Sequence, residues 1–119
     1  MSIGNRAFFV LDYTVTGGVE RVTASLISLF NKNELIFQHL ISLNASNEKP
    51  AIVYPDNLIV TVLFKNAKGD ISPALSRVLI EKKITTLIFQ GDNMTTALQV
   101  QRAAANAGCK AILHYHGSP

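Results

Sequence analysis

The sequence predicts a three-layer α/β fold, a mostly parallel sheet with helices on both faces, and three observations predict it. Apolar runs of strand length alternate with helix-period segments along nearly the whole chain. The connections between them are short, as strand–helix–strand units require. Hydrophobic residues make up 48% of the 119 residues and charged ones 16%. That balance excludes a disordered chain and suits strands buried on both faces. The length is enough for one domain with one core.

Arg6 to Leu11 reads as a first, fully buried strand. Val19 to about Lys32 reads as an amphipathic helix with anchors at Val19, Val22, Leu26, Ile27 and Phe30; Gly17 stands at its N-cap, with Glu20 three positions on. Leu35 to Leu43, containing Ile36, Phe37, Leu40 and Ile41, reads as a second strand. Asn44 to Pro55 is polar and carries Pro50 and Pro55, so it reads as loop, with Ala51 to Tyr54 fitting an extended stretch. Asn57 to Phe64 is a further strand.

Ser72-Pro73 starts a helix, because Ser caps free N–H groups and Pro is tolerated at the first helical position. Its apolar stripe, Leu75, Val78 and Leu79, runs out at Lys82 and Lys83. Thr85 to Phe89 is the next strand. Asp92 or Asn93 caps a helix whose expected buried side holds Met94, Ala97, Leu98, Ala104 and Ala105, and Gly108 closes it. Lys110 to Tyr115 is the last strand, broken by Gly117-Ser118-Pro119. A doubly wound order gathers the loops after Leu11, Phe89 and Tyr115 at one sheet edge. An ending on a strand rather than a covering helix reads as a cut through a larger domain.

Eleven Lys and Arg against eight acidic residues give a formal charge of +3. Lys65, Lys68, Lys82 and Lys83 are dispersed rather than gathered in a stripe, which argues against nucleic acid as a partner. The lone Cys109 excludes a disulfide scaffold and reads as a quiet buried thiol. Neither a signal-peptide pattern nor an apolar run of membrane-spanning length is present, which points to reducing cytoplasm. A few Lys side chains are enough for weak peripheral contact with a membrane.

The segment Thr16-Gly17-Gly18-Val19-Glu20-Arg21 joins the first strand to the first helix. Two glycines there let the backbone turn sharply and approach a ligand, while N–H groups of the first helical turn suit an anion such as a diphosphate. A plain tight turn explains the same glycines. The three-glycine dinucleotide fingerprint and the phosphate-binding Lys of a P-loop are both missing. Arg21 pairs with an acid or reaches a ligand phosphate; Asp12 contacts a ligand or caps its loop. Gln90, Asp92 and Asn93 form a polar cluster at a strand end, fit for a polyol, although helix capping accounts for one of them. His114 and His116, two apart, face the same way, but His39 sits in another strand and no carboxylate cluster completes a metal site. His116 lies at the loop edge, where an imidazole meets a sugar hydroxyl or phosphate. His114 reads as packing.

Gly17-Gly18-Val19-Glu20-Arg21 after a buried strand, Leu87-Ile88-Phe89-Gln90-Gly91, and His116-Gly117 after a late strand together resemble the N-terminal, acceptor-side domain of GT-B fold glycosyltransferases of family 4. The resemblance implies a Rossmann-like half of a two-domain enzyme. Such an enzyme transfers a sugar from a nucleotide-activated donor to a glycan or lipid-linked acceptor, often in polysaccharide or lipopolysaccharide assembly. It further implies that Gly17 and Gly18 approach the donor diphosphate, that His116 contacts the transferred sugar, and that a donor-binding C-terminal domain completes the site. No separate cofactor or metal is expected, and 119 residues alone are expected to be catalytically inert. The strand exit Asp12-Tyr13-Thr14-Val15-Thr16 departs from the Gly- or Ser-rich exit usual there, so Tyr13 either shapes a different acceptor pocket or packs down. Competing readings are a non-catalytic α/β module completed by another chain, and a small nucleotide- or flavin-binding protein.

Overall fold

A computed structural model of the chain describes residues 5–15, 17–32, 39–54, 58–63, 69–91 and 93–115. Among these, strands and helices alternate as β1 (Asn5–Asp12), α1 (Gly18–Lys32), β2 (His39–Asn44), β3 (Ile59–Val62), α2 (Ser72–Glu81), β4 (Ile84–Gly91), α3 (Met94–Ala107) and β5 (Lys110–Tyr115). The strands form one sheet in the order β3-β2-β1-β4-β5, with every pairing parallel. This is the expected three-layer, Rossmann-like arrangement. No described helix is long and apolar enough to cross a membrane.

β1 is the central strand, and its sequence shows why. Ala7, Phe8, Phe9 and Val10 are all at most 1% exposed, so neither face alternates with polar residues. Phe8 and Val10 face α1 and pack with Leu40 and Ile27. Ala7 and Phe9 face the other way, into a larger cluster with Leu75 and Leu79 of α2 and Ala97, Val100, Ala103 and Ala104 of α3. One helix therefore covers one face and two cover the other.

Several local expectations need correction. In α1 the inward residues include Glu20, Thr23, Ala24 and Ile27, while Val22 is 41% exposed. Burying Thr23 costs little because its hydroxyl donates to the Val19 carbonyl at 2.8 Å. The Phe30 side chain and the start of the second expected strand, residues 35–38, lie outside the description. Ser72 does not cap α2: the N-cap residue is Ile71, and Asp70 Oδ1 instead accepts from the Ser72 N–H at 3.0 Å and its hydroxyl at 2.9 Å. Residues 51 and 52 form bends and 53 and 54 belong to no regular element, so no strand forms there.

In α3 the buried face is Thr96, Ala97, Val100, Ala103 and Ala104, while Met94 and Leu98 are more than half exposed and Ala105 is exposed too. Small residues let α3 approach both α2 and the sheet, so the larger side chains are turned outward. Asn93 caps α3 as expected, accepting from the Thr96 N–H at 2.9 Å, and Gly108 ends it in the left-handed conformation at φ 68°. Cys109 is buried, and burial pushes its thiol pKa up.

His39 opens β2 at the sheet edge opposite the β1–α1 turn. It is 4% exposed, and its Nδ1 is buried without a hydrogen-bond partner among the described residues. Burial, and then the charge of Lys82, push its pKa below the ordinary 6.5. The unfolded chain thus binds this proton more readily than the folded one. Stability contributed by neutral His39 is complete above the unfolded value and declines as pH falls through it toward the folded one. A His39→Gln variant is expected to show a flatter dependence of stability on pH as the pH falls below the ordinary imidazole value of 6.5; urea titrations at several pH values measure it.

Candidate functional site

In the order β3-β2-β1-β4-β5, the chain runs outward from β1 in one direction and from β4 in the other. Between the C-terminal ends of these two strands lies the switch point where open α/β sheets hold ligands. A crevice of about 330 Å³ opens there, lined by Leu11, Asp12, Val15, Gly17, Gly18, Val19, Glu20, Gln90 and Gly91. The turn after β1, the first turn of α1 and the end of β4 thus share one cavity.

The two glycines differ. Gly17 is the N-cap in position, its carbonyl accepting from the Arg21 N–H at 3.0 Å. A Cβ on Gly17 would run into Glu20 Oε1, so the buried Glu20 carboxylate folds back over the corner. The spacing is that of a capping box, with glycine where a Ser or Thr would stand and an acid three positions on. A Cβ on Gly18 would meet nothing within 4 Å, and Gly18 is exposed. Nothing among the described residues requires glycine at position 18, which lines the crevice.

Asp12 lines the crevice, yet its carboxylate holds loops together. Oδ1 accepts from the Thr14 N–H at 2.9 Å and from the Thr14 hydroxyl; Oδ2 accepts from the Ser46 N–H at 3.1 Å and the Ser46 hydroxyl at 2.6 Å. Burial alone would raise its pKa, but the hydrogen bonds from Ser46 and Thr14 together outweigh burial and lower it. The capping alternative weighed for Asp12 is therefore present. The Thr14 hydroxyl accepts from the Asn47 N–H, and the Tyr54 hydroxyl donates to the Tyr13 carbonyl at 2.8 Å. Tyr13 packs down against Tyr54, ring centroids 5.9 Å apart. Burial first, then the charges of Glu20, Tyr13 and Asp12, push the Tyr54 pKa up to about 12, so it remains a donor.

Gln90 is 1% exposed and lines the crevice from β4. Asn93 stands at the N-cap of α3, its carboxamide oxygen taken by Thr96. Arg21 is not brought to the crevice. It lies along a separate groove of about 580 Å³ with Ala24, Ser25, Ser28, Leu29, Ile52 and Val53, on the outer side of α1. That groove is the larger but touches no strand end, so the crevice is the better candidate site. His114 is exposed rather than packed, on β5 in register with Gln90. Asp92, His116 and Gly117 lie outside the described residues. Among the described residues no group of three His, Cys, Asp or Glu side chains converges on a metal position.

Gly91 completes the crevice and had drawn no role of its own from the sequence. A Cβ there would approach the Phe89 ring to 2.8 Å, so the end of β4 keeps its line only without a side chain. A glycine directly after a buried aromatic strand was the available signal. No family model, curated protein or solved structure matches the chain.

Proposed function

We propose that the chain is the acceptor-side, N-terminal part of a GT-B type glycosyltransferase. Such an enzyme moves a sugar from a nucleotide-activated donor to a glycan or lipid-linked acceptor in cell-surface polysaccharide or lipopolysaccharide assembly. Its place would be the cytoplasm or the inner face of a membrane. The observation that carries the reading is the switch-point crevice with the open side of Gly18 in its wall. Backbone N–H groups of a first helical turn, the positive end of the helix dipole and a missing Cβ together suit a diphosphate. Gln90 and Asp12 supply polar groups on the neighbouring walls. His116, following β5, is assigned the contact with the transferred sugar, and Asp92 and Asn93 a polyol contact. Arg21 serves only a ligand that reaches around α1. Turnover requires a second domain to hold the donor in register, so the 119-residue chain alone is expected to bind and not to catalyse.

The test is a titration of the labelled chain with UDP, NAD and FMN, followed through backbone amide resonances. UDP is expected to shift Gly17, Gly18 and Val19, and the other two ligands to leave them still. Gly18→Val is expected to fold normally, because its side chain meets open space, and to lose most UDP affinity. Unchanged UDP binding in that variant, or a response to FMN or NAD instead, would sink the proposal. A non-catalytic module completed by another chain draws support from β5, where Ile112 and Leu113 on opposite faces are 42% and 39% exposed. Co-purification of a second polypeptide covering β5 would favour that reading.

A further inference from the structure

We infer that His39 makes β3 an acid-released strand: a proton taken up by this imidazole frees the Ile59 end of β3 while the other strands stay paired. His39 lies at the sheet edge away from the crevice, and its proton has no part in the ligand reading. The imidazole is 4% exposed, and its Nδ1 is buried with no hydrogen-bond partner among the described residues. In an imidazolium that nitrogen is always a donor, so protonation adds a buried N–H with nothing described to accept it. β1 and β3 set Ala7 and Ile59 beside His39 in register, and neither is titratable. From the end of α2 comes the charge of Lys82, of the same sign as an imidazolium. No carboxylate among the described residues bears on the ring, so a proton here meets burial and a like charge together.

A charged imidazole must reach water, and the sheet opens where least burial is lost. None of the four residues of β3 is buried, and Ile59 is 47% exposed. β2 instead buries five of its six residues, and Ala7 to Val10 of β1 are at most 1% exposed. Hydrating His39 from the β1 side would break the core, whereas loosening β3 forfeits little apolar contact. β3 is an edge strand, so its release unpairs β2 alone. Just past β3, Leu63 is buried and its N–H donates to the Ser42 carbonyl at 2.8 Å. That end is anchored, and release starts at Ile59, next to His39. Opening returns the imidazole toward its ordinary pKa of 6.5, while burial first and then Lys82 hold it lower in the closed sheet. The open form therefore binds the proton more readily, and acid favours opening. A single proton limits the gain in the opening constant to about tenfold for each pH unit below 6.5.

The test is amide hydrogen exchange of the labelled 119-residue chain across a pH series on both sides of 6.5, beside direct titration of the His39 imidazole. Protection factors remove the intrinsic pH dependence of exchange. Protection at the Ile59 end of β3 is expected to fall by up to about tenfold per pH unit below 6.5, while residues 86–89 of β4 keep theirs. His39→Gln cannot take up the proton and is expected to hold β3 protection level over the whole series. An equal fall in β3 and β4 would mean that the whole domain opens, and the local release is then wrong. The same fall at β3 in His39→Gln would assign it to another group. Constant β3 protection in the wild type, or an imidazole that titrates at or above 6.5, also overturns the inference. These last two readings come from the wild-type chain, so they decide even if the variant fails to fold.

Discussion

Phe89→Ala is expected to destabilise the chain by about 3–5 kcal/mol, the usual cost of removing a buried aromatic ring. Phe89 is fully buried in β4 and stacks on the equally buried Phe9 of β1, ring centroids 5.8 Å apart at 28°. Those two strands form the walls of the switch point, so the pair joins the core to the crevice. Its ring also lies against Gly91, where an added Cβ would come within 2.8 Å. Truncation leaves a void under the end of β4 and removes the packing that sets its line. Natural domains hold only about 5–15 kcal/mol in total, so the loss takes a large share. Urea denaturation gives the number directly, and Phe89→Leu should recover a good part of it. An Ala variant within 1 kcal/mol of wild type would show that the two strands are held by something else.

Gly17→Ala is expected to cost about 1–3 kcal/mol, because one methyl group must share space with the Glu20 carboxylate. The effect should depend on that acid. In a Glu20→Ala background the same substitution should be nearly neutral, and the coupling read from the double-mutant cycle should approach the single-variant cost. A cost that persists without Glu20 would place the strain in the backbone of the turn. Gly18→Ala is the internal control and should leave stability nearly unchanged.

Strand and helix order was readable because each element announces itself within a few residues. Phe8-Phe9-Val10 has no room for a polar face, Asn93 and Gly108 bracket α3 by local capping chemistry, and the glycines mark the β1–α1 corner. What escaped depends on partners distant in sequence. The inward faces of α1 and α3 are legible in part: Ile27, Ala97 and Ala104 go in as expected, but Thr23 and Thr96 go in too, while Val22, Met94 and Leu98 stay out, because size and not polarity governs a close approach. Asp70 accepts from the Ser72 N–H that opens α2, where Ser72 was expected to cap, an exchange between polar residues two apart that composition does not separate. At the crevice, Gly17, Gly18, Asp12 and Gln90 were named from the sequence and do share one cavity, whereas Arg21 points along another face. Only coordinates show that Ser46 and Thr14 engage Asp12, because Ser46 reaches it from a loop beyond β2.

The placement of β1 carries a consequence for how the chain is made. It leaves the ribosome ahead of the strands that flank it, yet one of its flanks is closed only by β4, with Asn5 paired to Ile84 and Phe9 to Phe89. At ~5–20 residues per second, the nascent polypeptide keeps that flank open for several seconds. Throughout that interval Phe8 and Phe9 sit on an unzipped, sticky border. Messages truncated before β4 should therefore yield insoluble product, while the intact chain should depend on holding chaperones early and shed them once Ile84 to Gly91 emerges.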